Sequence, residues 1–116
     1  VRDKDAGRKE ENDMDYKSAR WRKLRERILR RDKYLCRESA RYGRRVEATM
    51  VHHIWPADQY PEYAWCAWNL VSLSSQAHNA MHDRDTGALT ELGEAWRRRV
   101  TPPPPQGGTL VPPWDR

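Results

Sequence analysis

Apolar and polar positions along the chain change period several times, and each change marks an element. From Ser18 to Arg31 the apolar residues Trp21, Leu24, Ile28 and Leu29 form one stripe of an amphipathic helix, whose other faces carry Arg20, Arg22, Lys23, Arg25, Arg27, Arg30 and Arg31. Residues Tyr34 to Gly43 read as a short turn or helix closed by the glycine. From Val46 to Ile54 the period drops to two: Val46, Ala48, Met50, His52 and Ile54 share one side of a strand, and Glu47, Thr49, Val51 and His53 the other. His52 and His53 therefore point to opposite faces, and a bulge or the strand's end is needed to re-aim one of them.

Trp55 to Trp68 holds two prolines and five aromatic rings and reads as a long irregular loop anchored by its own side chains. Leu70, Val71 and Leu73 suit a second strand. A helix follows from Ser74 or Ser75 to Arg84, on which His78 and His82 stand four apart and face the same way. Asp85 to Gly87 is a turn, and Thr90 caps a last helix to Val100, with Leu92 and Trp96 as its apolar pair. Residues 1–16 lack periodicity and read as a mobile arm; residues 101–116 form a Pro-rich, polyproline-like tail. The expected domain is 17–100.

Composition sets limits on this outline. With 37% hydrophobic residues among 116, one compact core is affordable. No apolar run is long enough to span a bilayer or to act as a signal peptide, so a soluble, cytoplasmic protein is expected. Cys36 and Cys66 are too few for a disulfide framework or a four-cysteine zinc site and are expected as small buried or half-buried thiols. Six tryptophans and no phenylalanine make indole rings a main source of core volume. Between Lys17 and Arg45 there are thirteen Lys or Arg against Glu26, Asp32 and Glu38. Such a block can track a phosphate backbone, giving salt-sensitive, sequence-blind affinity; a merely solvated helix face is the bland alternative. The candidates for nucleic-acid contact are Arg20, Arg22, Lys23, Arg25, Arg27, Arg44 and Arg45, and Arg84 is either a clamp on a phosphate or an exposed helix-end arginine that suits the helix dipole.

All four histidines lie between positions 52 and 82, as the adjacent pair His52-His53 and the spaced pair His78 and His82, with Asn69 between. A hairpin followed by a helix, with histidines on both, brings residues from two elements around one ion. His52, His78 and His82 as neutral imidazoles make an open site for one divalent cation, Zn²⁺, Ni²⁺ or Mn²⁺ before the harder Mg²⁺. His53 is left beside the ion, and with an ordinary pKa of about 6.5 it can deprotonate an attacking water near neutral pH. Asn69 can bridge the loop backbone beneath His53 and fix the ring.

At these residues the sequence resembles the HNH endonucleases of the ββα-metal fold, over residues 34–84. The phrases Val51-His-His-Ile54 followed by Pro56, and Asn69-Leu-Val-Ser-Leu73 followed by His78-Asn79, carry the likeness. The resemblance implies an α+β protein: a short hairpin and one helix, flanked by the basic helix and a C-terminal helix. It also implies His52 and His78 as metal ligands, His82 as the extra ligand of colicin-type members, His53 as general base and Asn69 as the central asparagine. DNA would be cut to 5′-phosphate and 3′-hydroxyl ends. A phage or prophage source is implied too, with terminase and portal as partners in the host cytoplasm. Many phage members frame this site with two Cys-x-x-Cys pairs holding structural zinc. Here those positions are Cys36, Ser39, Ser74 and Ala77, so a structural zinc is not expected and packing by Trp55, Trp65 and Trp68 must replace it. Two other readings compete: a non-catalytic, metal-stabilised DNA-binding or packaging accessory module, and a secreted toxin domain.

Overall fold

The computed structural model describes residues 15–100; the arm up to residue 14 and the Pro-rich tail lie outside it. Helix α1 (Ala19–Arg31) starts where the Ser18 side chain accepts the N–H of Trp21, 3.1 Å away, satisfying one orphan donor of the first turn. Trp21, Ile28 and Leu29 of its apolar stripe are buried. Lys33 and Tyr34, both at positive φ near 60°, turn the chain away from the helix end. A short helix α2 (Arg37–Ala40) follows, and Gly43, at φ 75°, closes the turn behind it, a conformation that costs glycine little.

Strands β1 (Met50–His53) and β2 (Leu70–Leu73) make an antiparallel hairpin in the register Met50 to Leu73, Val51 to Ser72, His52 to Val71 and His53 to Leu70. The expected strand from Val46 is shortened. Before Met50 the chain touches a different partner, Leu35 with Glu47, because Cys36 N–H and Ala48 N–H bond to Val46 and Tyr34 carbonyls. The pairing has no inserted residue, so no bulge re-aims a histidine.

Alternation along the hairpin sorts the core into two clusters. Val71, Leu73 and Ile54 pack with Cys36, Met81, Trp96 and Val100, while Leu70 packs with Trp21 and Ile28 under α1. Each such large side chain removed from water is worth about 1.5–3 kcal/mol. Trp55, Trp68 and Trp65 are partly buried against these clusters, the core use expected of them. The loop between the strands is held by its rings, with Trp55 edge-on to Tyr60 and Tyr63, and Tyr63 against Trp68.

The free edge of β2 is closed by a buried ion pair. Thr49 N–H bonds to Leu73 O and Ile54 N–H to Asn69 O, so residues 69 and 73 face β1 and Leu70 and Ser72 face outward. Arg31 donates to Leu70 O (2.6 Å) and Ala67 O (2.9 Å), and the Asp32 carboxylate accepts Ser72 N–H (3.1 Å). Arg31 also grips Asp32 with two bonds of 2.9 and 3.0 Å. These two residues act as a third strand made of side chains, and they dock α1 on the hairpin. Removing either partner would strand the other charge, a cost of about 3–5 kcal/mol.

Helix α3 (Ser75–Asn79) is capped by the Ser74 side chain and is much shorter than expected. It stops because the segment before α4 (Glu91–Arg99) takes over its backbone partners. Thr90 Oγ1 donates to Ala80 O at 2.6 Å, Thr90 N–H to Met81 O at 2.9 Å, and Asp83 N–H bonds to Ala88 O at 2.7 Å. His82 consequently lies off the helix, in an antiparallel bridge with Leu89, which corrects the expectation of two histidines on one helical face. Gly93 permits the close approach of α4, since a Cβ there would stand 2.5 Å from Met81 O. No helix among the described residues is long and apolar enough to cross a membrane.

Candidate active site

Because β1 keeps its regular alternation, His52 shares the Ile54 side and His53 the Val51 side. Both nevertheless line one cavity of about 500 Å³, together with Met50, Val51, His78 and His82. It runs along the edge of β1 that β2 leaves open, with α1 on one side and α3 on the other.

On the α3 side three imidazoles meet. The ring centroid of His52 is 5.6 Å from that of His78 and 5.5 Å from that of His82, and the latter two are 6.2 Å apart. His52 is 1% exposed and its Nε2 is buried with no hydrogen-bond partner among the described residues. An unpaired buried polar atom is costly and calls for an explanation such as an ion. His82 Nδ1 lies 3.1 Å from Gly87 O and donates its proton there, which leaves Nε2 as a lone pair. Among the described residues no three His, Cys, Asp or Glu side chains stand, as placed, close enough to hold a metal ion. Two imidazoles on one ion at about 2.0–2.1 Å stand roughly 5 Å apart at a tetrahedral angle, so the three rings need a small inward shift. A donor set of imidazole nitrogens, one of them orphaned, suits a divalent transition metal in its chemistry.

Burial, and then the neighbouring charges on His78, His82 and His53, holds His52 well below the ordinary histidine range. His78 is lowered by burial and by His82. Burial thus favours the neutral form of His52 and His78, the form that binds metal.

On the α1 side His53 is 8% exposed. Its Nε2 lies 2.9 Å from Ala64 O and donates to it, so Nδ1 carries the free lone pair. Burial lowers its pKa, the Ala64 bond works against this, and His78 adds to the lowering. The Trp21 ring stacks on His53 at 5.5 Å and 20°, and Tyr16 stands edge-on to both. Asn69 is fully buried. Its Oδ1 accepts Trp55 N–H at 2.7 Å, and its Nδ2 donates to Trp55 O and Tyr63 O at 3.0 and 3.2 Å. It ties together the two ends of the loop that delivers Ala64 to His53.

Of the basic candidates, Arg25 reaches the cavity wall, where its Nη2 donates to Thr49 O at 2.8 Å. Arg20 lies over the Trp65 ring at 3.7 Å. Arg22, Lys23 and Arg27 are exposed along α1, and Arg44 and Arg45 are exposed before β1. Arg84 is exposed in the turn after His82 and does not line the cavity.

Sequence reasoning missed Tyr16, Ala64 and Gly87, and read Trp21 as core alone. Ala64 and Gly87 act through carbonyl oxygens, which leave no trace in side-chain chemistry, and Tyr16 sits in a segment without periodicity.

The four corner positions of the absent zinc site are still assembled. Cys36 is fully buried, and its thiol is hydrogen-bonded by Ser39 and Ser74, with Ala77 packed against the same cluster. Both cysteines are free.

A two-stranded antiparallel hairpin and a helix with histidines on both define a ββα nuclease-type core. No family model and no curated protein matches the sequence. Among solved structures the fold is similar to the HNH endonuclease of the deep-sea thermophilic bacteriophage GVE2, crystallised with a manganese ion. The match has a TM-score of 0.53 and 31% sequence identity, and it covers 55% of this chain and 70% of that one. The chain belongs to the HNH endonuclease family.

Proposed function

We propose that the protein is a metal-dependent endonuclease that hydrolyses DNA phosphodiester bonds, with His53 as general base and His52, His78 and His82 as the ligands of one divalent cation. The observation that carries this reading is the orphaned Nε2 of buried His52 among two further imidazoles, beside a fourth whose Nε2 is tied to a backbone carbonyl. The manganese ion of the GVE2 structure supports a transition metal over Mg²⁺ as the first choice. A cation bound there supplies electrostatic stabilisation to the charge that develops around phosphorus.

The remaining steps fall to the chain's own groups. His53, kept neutral by burial, takes the proton of a water attacking phosphorus through Nδ1, while its Nε2–H holds to Ala64 O. Asn69 positions the loop that carries Ala64, and so the ring, without touching substrate. Arg25 lines the cavity and Arg84 does not, which supports Arg25 as the arginine that meets a phosphate oxygen. The exposed arginines and Lys23 of α1, with Arg44 and Arg45, attract the backbone without reading sequence. The 5′-phosphate and 3′-hydroxyl products, and the terminase and portal partners, rest on the family resemblance alone.

One observation favours the second reading, a non-catalytic metal-stabilised module: the face of His53 is covered by Trp21. Plasmid cleavage by metal-free protein supplied with Mn²⁺, Ni²⁺, Zn²⁺ or Mg²⁺, beside His53→Ala, separates the two. Cleavage by wild type that falls about 10²- to 10⁴-fold in the variant supports catalysis. A metal-dependent melting temperature with no cleavage in any metal supports the module, and equal cleavage by both proteins removes His53 as the base.

A further inference from the structure

The cavity is larger than the chemistry alone requires. A phosphate group and one ion occupy only a few water-sized shares of roughly 30 Å³ each, whereas this half-open cavity measures about 500 Å³. Four histidines and Arg25 line it, and so does an aromatic wall of Tyr16 against Trp21, with Pro56 and Ala57 also in the lining. Asp58 also lines the cavity, and burial and then the Asp58 charge hold the Tyr16 phenol proton more tightly. A carboxylate there repels a phosphate, so this wall suits the uncharged portion of a nucleotide.

Within that wall Trp21 has no free face, being 5% exposed and stacked on His53. Tyr16 is 54% exposed and touches Trp21 and His53 edge-on, at 5.3 and 6.2 Å. We propose that Tyr16 is a stacking platform for one unstacked nucleobase next to the scissile phosphate, which makes single-stranded or locally melted DNA the preferred substrate. The inference rests on the nuclease reading for its substrate class. In a duplex both faces of each base are covered by its neighbours, so the platform is of use only to a strand whose bases are splayed. Aromatic stacking tolerates any base, in keeping with the sequence-blind basic helix beside it.

The test is a binding measurement made in EDTA, so that it does not depend on cleavage. Fluorescence anisotropy compares a short labelled single strand with an abasic strand of equal phosphate count, for wild type, Tyr16→Phe and Tyr16→Ala. Tyr16 is half exposed, and circular dichroism checks that each variant is folded. Wild type and Tyr16→Phe are expected to bind the base-bearing strand about ten-fold more tightly than the abasic one, and Tyr16→Ala to bring the ratio close to parity. The same ratio in all three proteins, parity in wild type, or a loss in Tyr16→Phe equal to that in Tyr16→Ala would each overturn the platform. Failure of the nuclease reading is seen separately, as absence of metal-dependent cleavage, and leaves this ratio unchanged.

Discussion

Helix α3 runs between two corners of the molecule that meet the same demand in opposite ways. At its N-terminal end, Cys36, Ser39, Ser74 and Ala77 occupy the positions where relatives of the resemblance hold zinc. Here each polar group finds its partner within the chain: the thiol takes bonds from Ser39 and Ser74, and Ser74 Oγ accepts Ala77 N–H at 3.1 Å. At its other end, three imidazoles converge and the buried Nε2 of His52 has no partner among the described residues. One corner is complete without an ion and the other is not. A hairpin and a short helix therefore do not by themselves demand a metal; the proposed ion rests on the unsatisfied nitrogen of the second corner.

The sharpest way to break this contrast is to remove one group from each corner. His78→Ala is expected to lower Mn²⁺-dependent cleavage at fixed metal by more than about 100-fold, since even partners behind a ligand are worth 10- to 100-fold in affinity or activity. Ser39→Ala should keep activity within about two-fold. Near-normal cleavage by His78→Ala would mean that the histidine corner is as self-sufficient as the other.

Metal removal comes next in size. A metal at about 100 times its Kd stabilises the folded chain by about 2.7 kcal/mol, a rise of about 10 °C or more in Tm for a domain of this length. Differential scanning fluorimetry in EDTA and in Mn²⁺ should show that rise in wild type and in Ser39→Ala, and none in His82→Ala. A shift that survives in His82→Ala would place the ion elsewhere.

The two corners also differed in how far they could be read from sequence. That His52, His53, His78 and His82 come to one cavity was legible because histidines on a hairpin and on the segment after it are brought together by the fold, and the hairpin itself was written in period-two alternation. The basic helix was equally plain from its stripe. What failed was the extent of α3 and the place of His82, because Thr90, ten residues beyond Ala80, takes its carbonyl. Nothing in the local pattern encodes that competition. Trp21 was seen only as an apolar position, and its stacking on His53 depends on how α1 docks through Arg31 and Asp32. The Cys36 corner was legible as a loss of three ligands, but its replacement by serine hydrogen bonds was not.

Acidification probes the histidine corner without mutation. The pKa of His52 is held well below the ordinary range, and those of His53 and His78 are lowered too. Between about 6.5 and these depressed values the unfolded chain binds protons that the folded chain refuses, so stability rises with pH in this window. The metal-free protein should have its full contribution above about pH 6.5 and lose it on acidification, by about 1.4 kcal/mol per pH unit for each histidine kept neutral. Cys36, where burial is outweighed by the serine hydrogen bonds and the pKa is lowered from 9.0, adds stability with the same sign in a higher window, as pH rises toward that value. Thermal melts in EDTA between about pH 7.5 and 5 test the sign, and a flat profile would show that the histidines are not held neutral.

The smallest effect belongs to the complete corner, where two terms oppose each other. Ser39→Ala deletes a hydroxyl that bonds to the Cys36 thiol, a loss of about 0.5–1.5 kcal/mol. It also places alanine inside α2, where helix propensity returns up to about 0.5 kcal/mol. The Ser39 backbone N–H, 3.5 Å from Cys36 Sγ, is untouched. The net should be a destabilisation below about 1 kcal/mol, read as a lower urea midpoint at unchanged slope. Its size should be the same with Mn²⁺ and with EDTA, because nothing at this corner waits for an ion. A cost that grows when metal is present would couple the two ends of α3 and end the claim that they are independent.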